Sequence, residues 1–462
     1  MSLSRRSFMQ SAALASAAGI AGPLTGSLNM ALAASGDLFE VGVASRDITP
    51  ELGLPLWGYS NAERLAEGII SPLMAKVIVF RTGGKSIGLV VTDIGRMPVV
   101  DQCNRIREAV KGDGIEHVIF QATHTHSAPF MELTELPHIK PIEEALVACL
   151  KEAAANAQPA RVGVGRTTID ISHNRRLIKD GKCYMMWRNA ERKPTTPVDH
   201  EAGIIRIDAA GGKPLVTLVN YACHPVIFGP DNKKYSADWP GEMCSMVKAA
   251  TDAECIFLQA AAGDINPYMD KTPLTEGGLE AMQEEGQKAA KAVIAAHKKI
   301  EAIPPKTPSI AYREERLNIG TRWNVSDPAQ DAIVKQVAGK MYDFYMAPFA
   351  KNPEVPVGVL VLNNNLALPC LPGEFFVQFQ LDLKAKSPVK DTFLCGYANE
   401  FHIYFPTIKD AAIGGYGAST ATYVGVGAGE QVLNRAMIMI AEMTGHFGPL
   451  SGPQDFELLE LT

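Results

Sequence analysis

Short apolar runs recur along the chain, separated by stretches in which apolar residues fall three and four apart. The short runs predict strands at Glu40 to Ala44, Ala75 to Arg81, Ser86 to Thr92, His117 to Ala122, Leu215 to Ala222, Cys255 to Ala260, Val357 to Leu362 and Thr392 to Gly396. The helical spacing predicts helices at Val100 to Lys111, Ile142 to Ala154, Pro240 to Thr251, Leu279 to Lys298 and Glu430 to Gly445. Their alternation predicts an α/β protein with a large mixed β-sheet core flanked by helices. Several strands run straight into polar clusters. His117 to Ala122 leads into Thr123-His124-Thr125-His126-Ser127, and Leu215 to Ala222 into Cys223-His224-Pro225. Ile256 to Gln259 leads towards Gly263-Asp264-Ile265-Asn266-Pro267, and Leu366 to Pro369 into Leu371-Pro372-Gly373-Glu374. Carboxyl ends of strands in α/β sheets border a common crevice, so these endings predict one shared site, with any metal at the strand ends.

Composition narrows the class. Apolar residues at 47% and charged ones at 20% mark a globular chain, and 462 residues suffice for one large α/β domain. The net charge of -6, with no basic block, argues against nucleic acid as a partner, because phosphate binding requires clustered positive charge. Ser4-Arg5-Arg6-Ser7-Phe8-Met9, a weakly apolar Ala-rich stretch and Ala31-Leu32-Ala33 form a twin-arginine signal pattern with a cleavage site. The expectation is a signal peptide over 1–33, export to the periplasm or medium, and a mature domain over 34–462 without a transmembrane segment. The eight cysteines are scattered and include no CxxC, so they are expected mostly as small buried apolar residues. Pro304-Pro305 and the polar stretch up to Thr321 offer a weak boundary signal.

The clusters carry ligand-type residues. His124 and His126, two apart on extended backbone, can face one side, and imidazole is the commonest metal ligand. On its own His224 reads as a satisfied core histidine, and Glu374 as a carboxylate at a helix start. Tyr404 and Tyr416 lie in a stretch with Gly414-Gly415 and Gly417, where spacing alone assigns them no chemistry.

Taken together and in order, these segments resemble the neutral/alkaline ceramidases, zinc amidohydrolases that cleave the amide of N-acylsphingosines. The resemblance runs through Arg46-Asp47-Ile48-Thr49-Pro50, Trp57-Gly58-Tyr59, Thr123 to Ser127, Asn174-Arg175, Cys223 to Pro225, Ser236 to Gly241, Gly263-Asp264, Pro372-Gly373-Glu374 and Tyr404 to Ala418. It implies a zinc ion (Zn2+) held by His124, His224, Glu374 and Tyr404. It implies that His126 faces the scissile carbonyl, that Arg175 binds near the substrate head or its oxyanion, and that Tyr416 bonds the reacting amide. Gly58 would let the chain approach the substrate closely. An N-acyl amide, a ceramide-like lipid included, would be cleaved by zinc-activated water; an esterase or lactonase, or an inactive binding protein, would use the same scaffold. The sequence departs from the family at Asn266, which stands where the ceramidases carry an active-site serine, and at Tyr404-Phe405-Pro406-Thr407, where they read YVTT. The chain also ends soon after this segment, so no C-terminal immunoglobulin-like domain is expected.

Overall fold

The apolar runs pair into an eight-stranded mixed sheet. In spatial order its strands are Glu254–Gln259, Pro214–Tyr221, Glu201–Ala209, Gln158–Thr168, Glu40–Asp47, Met74–Thr82, Lys85–Thr92 and His117–Ala122. The computed structural model describes residues 38–59, 64–339 and 342–447; the twin-arginine pattern, its cleavage site and the tail after Gly452 lie outside the described residues. Residues from Leu38 onward cluster as one unit. The outermost pair at each side of the sheet is parallel and the inner pairs are antiparallel.

The helices Val100–Val110 and Ile139–Ala155 cover one part of this sheet, and Asp238–Thr251 and Gly278–His297 another. Each turns an apolar stripe inwards: Ile142, Leu146, Cys149, Leu150 and Ala153 are buried on the second of them, at helical spacing. A four-stranded sheet, Ile310–Asn318, Glu354–Leu362, Leu366–Cys370 and Asp391–Thr392, packs its Leu360, Leu362 and Leu368 against Ile78, Leu89 and Ile119 of the large sheet. Free thiols account for all eight cysteines, and seven are buried.

Three strands escape the apolar-run pattern. Gln158–Thr168 is half-buried and interrupted by Gly163 and Gly165, Glu201–Ala209 opens on a charge, and Ile310–Asn318 alternates charged outward residues with inward ones. The last of these pairs along its length with Glu354–Leu362, so the polar stretch before Thr321 is sheet rather than a domain boundary. The expected strand Thr392 to Gly396 is shorter, because after Thr392 the chain leaves the ladder and makes only a bridge from Cys395 to Cys370.

The two edge strands of the large sheet approach each other at their carboxyl ends. Gln121 Nε2 donates to Gln259 O at 2.8 Å and to Gly396 O at 2.9 Å, while Gln259 Nε2 donates to Cys223 O at 3.0 Å and Thr123 O at 3.2 Å. Both glutamines are fully buried. Their amides satisfy carbonyls left over where the ladders stop, and so tie the segments that follow four strand ends into one place.

Candidate metal centre

His124 sits just past the strand His117–Ala122, in left-handed backbone at φ 72°. A non-glycine residue tolerates this conformation only where its surroundings hold it there. Here the backbone N–H donates to Ile94 O at 3.0 Å and Nδ1 lies 2.6 Å from Gly95 O. The carbonyl takes the Nδ1 proton and leaves the Nε2 lone pair facing inwards. His126 Nε2 is 3.3 Å from His124 Nε2, and the ligand nitrogens of His124, His126 and His224 all lie within 4.8 Å of one another. Trp57 walls the cluster, its ring edge-on to both His124 and His126 with centroids 5.1 Å apart in each case.

His224 is fully buried after the strand Pro214–Tyr221. Its Nδ1 lies 3.0 Å from Ile265 O and its Nε2 3.0 Å from Glu374 Oε2, which is also 3.5 Å from His124 Nε2. Burial lowers the His224 pKa to about 4, helped by the positive charges nearby and opposed by Glu374. Burial would raise the Glu374 carboxyl, but His124 and His224 outweigh it and hold the group well below the ordinary carboxylate range. At neutral pH the pair is therefore an ionised carboxylate beside a neutral imidazole. That imidazole has one N–H and two neighbours that only accept, so one of its nitrogens faces an acceptor lone pair at 3.0 Å. A cation between the lone pairs turns this repulsion into ligation, so two or three imidazoles and one carboxylate fit a divalent metal of zinc type.

Glu374 and Tyr404 are brought together by a short parallel ladder in which they are direct partners. Gly263 lets this ladder close on the loop carrying Asp264 and Asn266, since a Cβ there would lie 2.4 Å from Glu374 O. Tyr404 is buried, with its ring 5.4 Å from Tyr416 and the Arg175 guanidinium 5.3 Å above each of them. Closest to His124 is Tyr397, whose ring centroid is 4.3 Å away. Tyr397 also takes left-handed backbone, at φ 54°, and burial together with the Glu374 charge raises its pKa well above the usual range. Sequence reasoning passed over it, although it ends an apolar run just as the other clusters do.

Arg175 and Asn266 meet across the antiparallel pair Ser172–Asn174 and Ile265–Pro267. Arg175 Nη1 donates to Asn266 Oδ1 at 3.1 Å and Nη2 to Gly263 O at 2.6 Å. Asn266 Nδ2 donates to Asp270 Oδ2 at 2.7 Å, so both ends of this buried amide are occupied. Nearby, Asp264 accepts from Val377 N and Asn174 Nδ2, and burial pushes its carboxyl up to about 6. Tyr416 is 39% exposed, edge-on to Trp187 at 5.2 Å, and its exposed side is called the mouth of the site.

At Gly58 the close approach is to His126. Its φ is 111°, and a Cβ would fall 2.5 Å from His126 Cγ. Gly58→Ala is expected to displace the His126 ring, destabilise the protein by about 1–3 kcal/mol and cut kcat/KM at least tenfold. Thermal unfolding and steady-state kinetics measure both; an alanine enzyme with unchanged rate and Tm would remove the need for a glycine here.

Imidazoles and a carboxylate gathered at the carboxyl ends of strands in a mixed α/β scaffold make a site of metal-binding type. Residues 39–322 match the model of the neutral/alkaline non-lysosomal ceramidase N-terminal domain, and the chain belongs to that family of ceramidase-type hydrolases. Its fold is similar to the crystal structure of neutral ceramidase from Pseudomonas aeruginosa, with TM-score 0.69 and 17% identity over 89% of this chain and 75% of that one. A ceramidase complexed with C2 is similar to the same degree, with TM-score 0.70 and 17% identity over 89% of this chain and 76% of that one. Glu374, Tyr404 and Tyr416 lie beyond the matched residues 39–322.

Proposed function

We propose that this protein is an exported, zinc-dependent hydrolase that cleaves an N-acyl amide, with residues 1–33 as a twin-arginine signal and 34–462 as the catalytic domain. The observation that carries the metal reading is the convergence of the ligand nitrogens of His124, His126 and His224 within 4.8 Å of one another, with Glu374 Oε2 3.0 Å from His224 Nε2 and 3.5 Å from His124 Nε2. His124, His224 and Glu374 supply three ligands, and Tyr404, the ladder partner of Glu374, is the proposed fourth. Zinc in such a site lowers the pKa of a bound water to about 7 and polarises a carbonyl oxygen.

The remaining side chains position the substrate and move protons. His126 has Nδ1 buried without a partner, and burial followed by its histidine neighbours holds its pKa well below the usual value. It is thus neutral at pH 7 and free to take a proton from the attacking water and pass it to the leaving nitrogen. Arg175 stays charged, because the neighbouring tyrosines and Glu374 outweigh the effect of its burial, and it offers donors to a developing oxyanion. Tyr416 at the mouth has a hydroxyl suited to bonding the amide. The hairpin Arg176–Lys179 and Lys182–Met185, with Leu177, Ile178 and Tyr184 exposed, provides apolar surface for an acyl chain beside the mouth. Among the described residues no helix is long and apolar enough to cross a membrane.

Metal analysis of the purified protein, followed by a screen of ceramides, N-acyl amino acids and simple esters, tests this reading. Zinc near one equivalent with amide turnover is expected. Faster ester cleavage would make it an esterase, and ligand binding without turnover of any acyl compound would make it an inactive binding protein.

A further inference from the structure

We propose that the mouth of this site binds a carboxylate, and that Lys271 selects it, so that the amides turned over carry one negative charge next to the scissile bond, as N-acyl amino acids do. The chemistry of this inference rests on the amide-hydrolase reading; the binding does not.

Lys271 lies four residues beyond the end of the short strand Ile265–Pro267, in left-handed backbone at φ 53°, its N–H held by Val226 O at 3.1 Å. The side chain is fixed at two points. Nζ is 2.7 Å from Asp270 Oδ2 and 4.2 Å above the Trp187 ring. The Arg175 guanidinium lies 5.1 Å from that same ring, so one indole carries both cations. Trp187 in turn meets Tyr416, the exposed tyrosine of the mouth.

Two cations, Arg175 and Lys271, share this corner; among the described residues the carboxylate hydrogen-bonded to Lys271 is Asp270, and the Arg175 guanidinium donates to the neutral oxygens of Asn266 and Gly263. Asp270 is fully buried and its Oδ2 takes both Asn266 Nδ2 and Lys271 Nζ. A ligand entering the mouth therefore meets the ammonium, whose side chain is 31% exposed and which keeps two of its three N–H donors. Arg175 is 4% exposed, with Nε left without a partner. A carboxylate accepts from these unused donors and brings charge opposite to theirs, which a neutral amino-alcohol head does not. Asn266 completes the arrangement by bridging Arg175 to Asp270, which a shorter hydroxyl in its place would not span.

The test compares N-lauroylglycine with its neutral analogue N-lauroylglycinamide and with an N-lauroyl phosphoethanolamine, on the metal-loaded enzyme. The free acid is expected to have the highest kcat/KM, roughly 10- to 100-fold above the carboxamide, the range for a hydrogen bond to a charged group. Lys271→Gln should collapse that ratio through the KM of the acid and be partly rescued by Lys271→Arg. Calorimetric binding of N-lauroylglycine and its carboxamide to the metal-free and metal-loaded proteins gives a readout independent of turnover. Loss of acid affinity in Lys271→Gln without hydrolysis of any amide would sink the hydrolase reading and keep the carboxylate site. Equal handling of acid and carboxamide, an unchanged ratio in Lys271→Gln, or a preference for the phosphate dianion would overturn the inference and leave the hydrolase reading intact.

Discussion

His224→Ala is expected to purify without stoichiometric metal and to lose at least about 10³-fold in turnover. The factor follows from what is removed: a divalent ion contributes several kcal/mol to a hydrolytic transition state, and each 1.36 kcal/mol is tenfold in rate. The imidazole is one of few protein ligands, and its loss leaves Glu374 facing only His124 across 3.5 Å. The truncation also opens a cavity in a buried position, so the variant needs a folding control. Circular dichroism and an unfolding curve separate a folded, metal-free protein from a collapsed one. Glu374→Gln provides the second arm. It keeps the volume and a hydrogen-bonding oxygen, removes the negative charge, and should weaken metal binding while the protein stays folded. Metal analysis showing full occupancy in both variants would refute the ligand assignment, whatever the rates.

Asn266→Ala should lower kcat/KM by roughly 10² to 10³, the usual effect of losing one polar group directed at the transition state, because Arg175, the group so directed, is held by Asn266. The asparagine acts by position. Its amide oxygen takes Arg175 Nη1 at 3.1 Å and its amide nitrogen gives to Asp270 Oδ2 at 2.7 Å, so alanine frees the guanidinium to drift from the place where charge develops. Metal content should be unaltered, which distinguishes this variant from His224→Ala. An amide side chain cannot form an acyl-enzyme by any ordinary route. Serine-directed fluorophosphonates are thus expected to leave the enzyme unlabelled and active, while a strong chelator stops turnover. Ser127, the serine nearest the histidine pair in sequence, is buried and its Oγ accepts from Asn232 Nδ2 at 2.9 Å, which leaves it poorly placed to attack. A covalent acyl group trapped on Ser127 would overturn this mechanism, as would an Asn266→Ala enzyme working at full rate.

Much of the scaffold was legible because burial on both faces writes itself as an uninterrupted apolar run. His117 to Ala122 and the strand ending at Leu362 are of this kind, and in each the expected end coincides with the observed one. Ile310–Asn318 was not legible, because it is an edge strand with one face in solvent and its alternating charges read as loop. The five expected helices were found to within a few residues, since an amphipathic stripe is a local property, whereas Pro328–Ala338 and Ile408–Ile413 were not anticipated.

By itself, then, the sequence determined the fold class, the strand ends that carry polar residues and, through its resemblance to a family, a set of candidate ligands. Only the tertiary structure decided which of those residues meet. His124 and His224 are a hundred residues apart and Glu374 a further 150, and their distances depend on how two sheet edges converge through Gln121 and Gln259. Lys271 and Trp187 entered the site for the same reason. Nothing in their local sequence marks them, because a side chain's chemical role depends on the charges and lone pairs beside it. Gly58 shows the point directly: its close neighbour is His126, a contact that only packing reveals. Periodicity encodes which face of an element is buried; the pairing of distant elements is decided by long-range packing, which no local pattern contains.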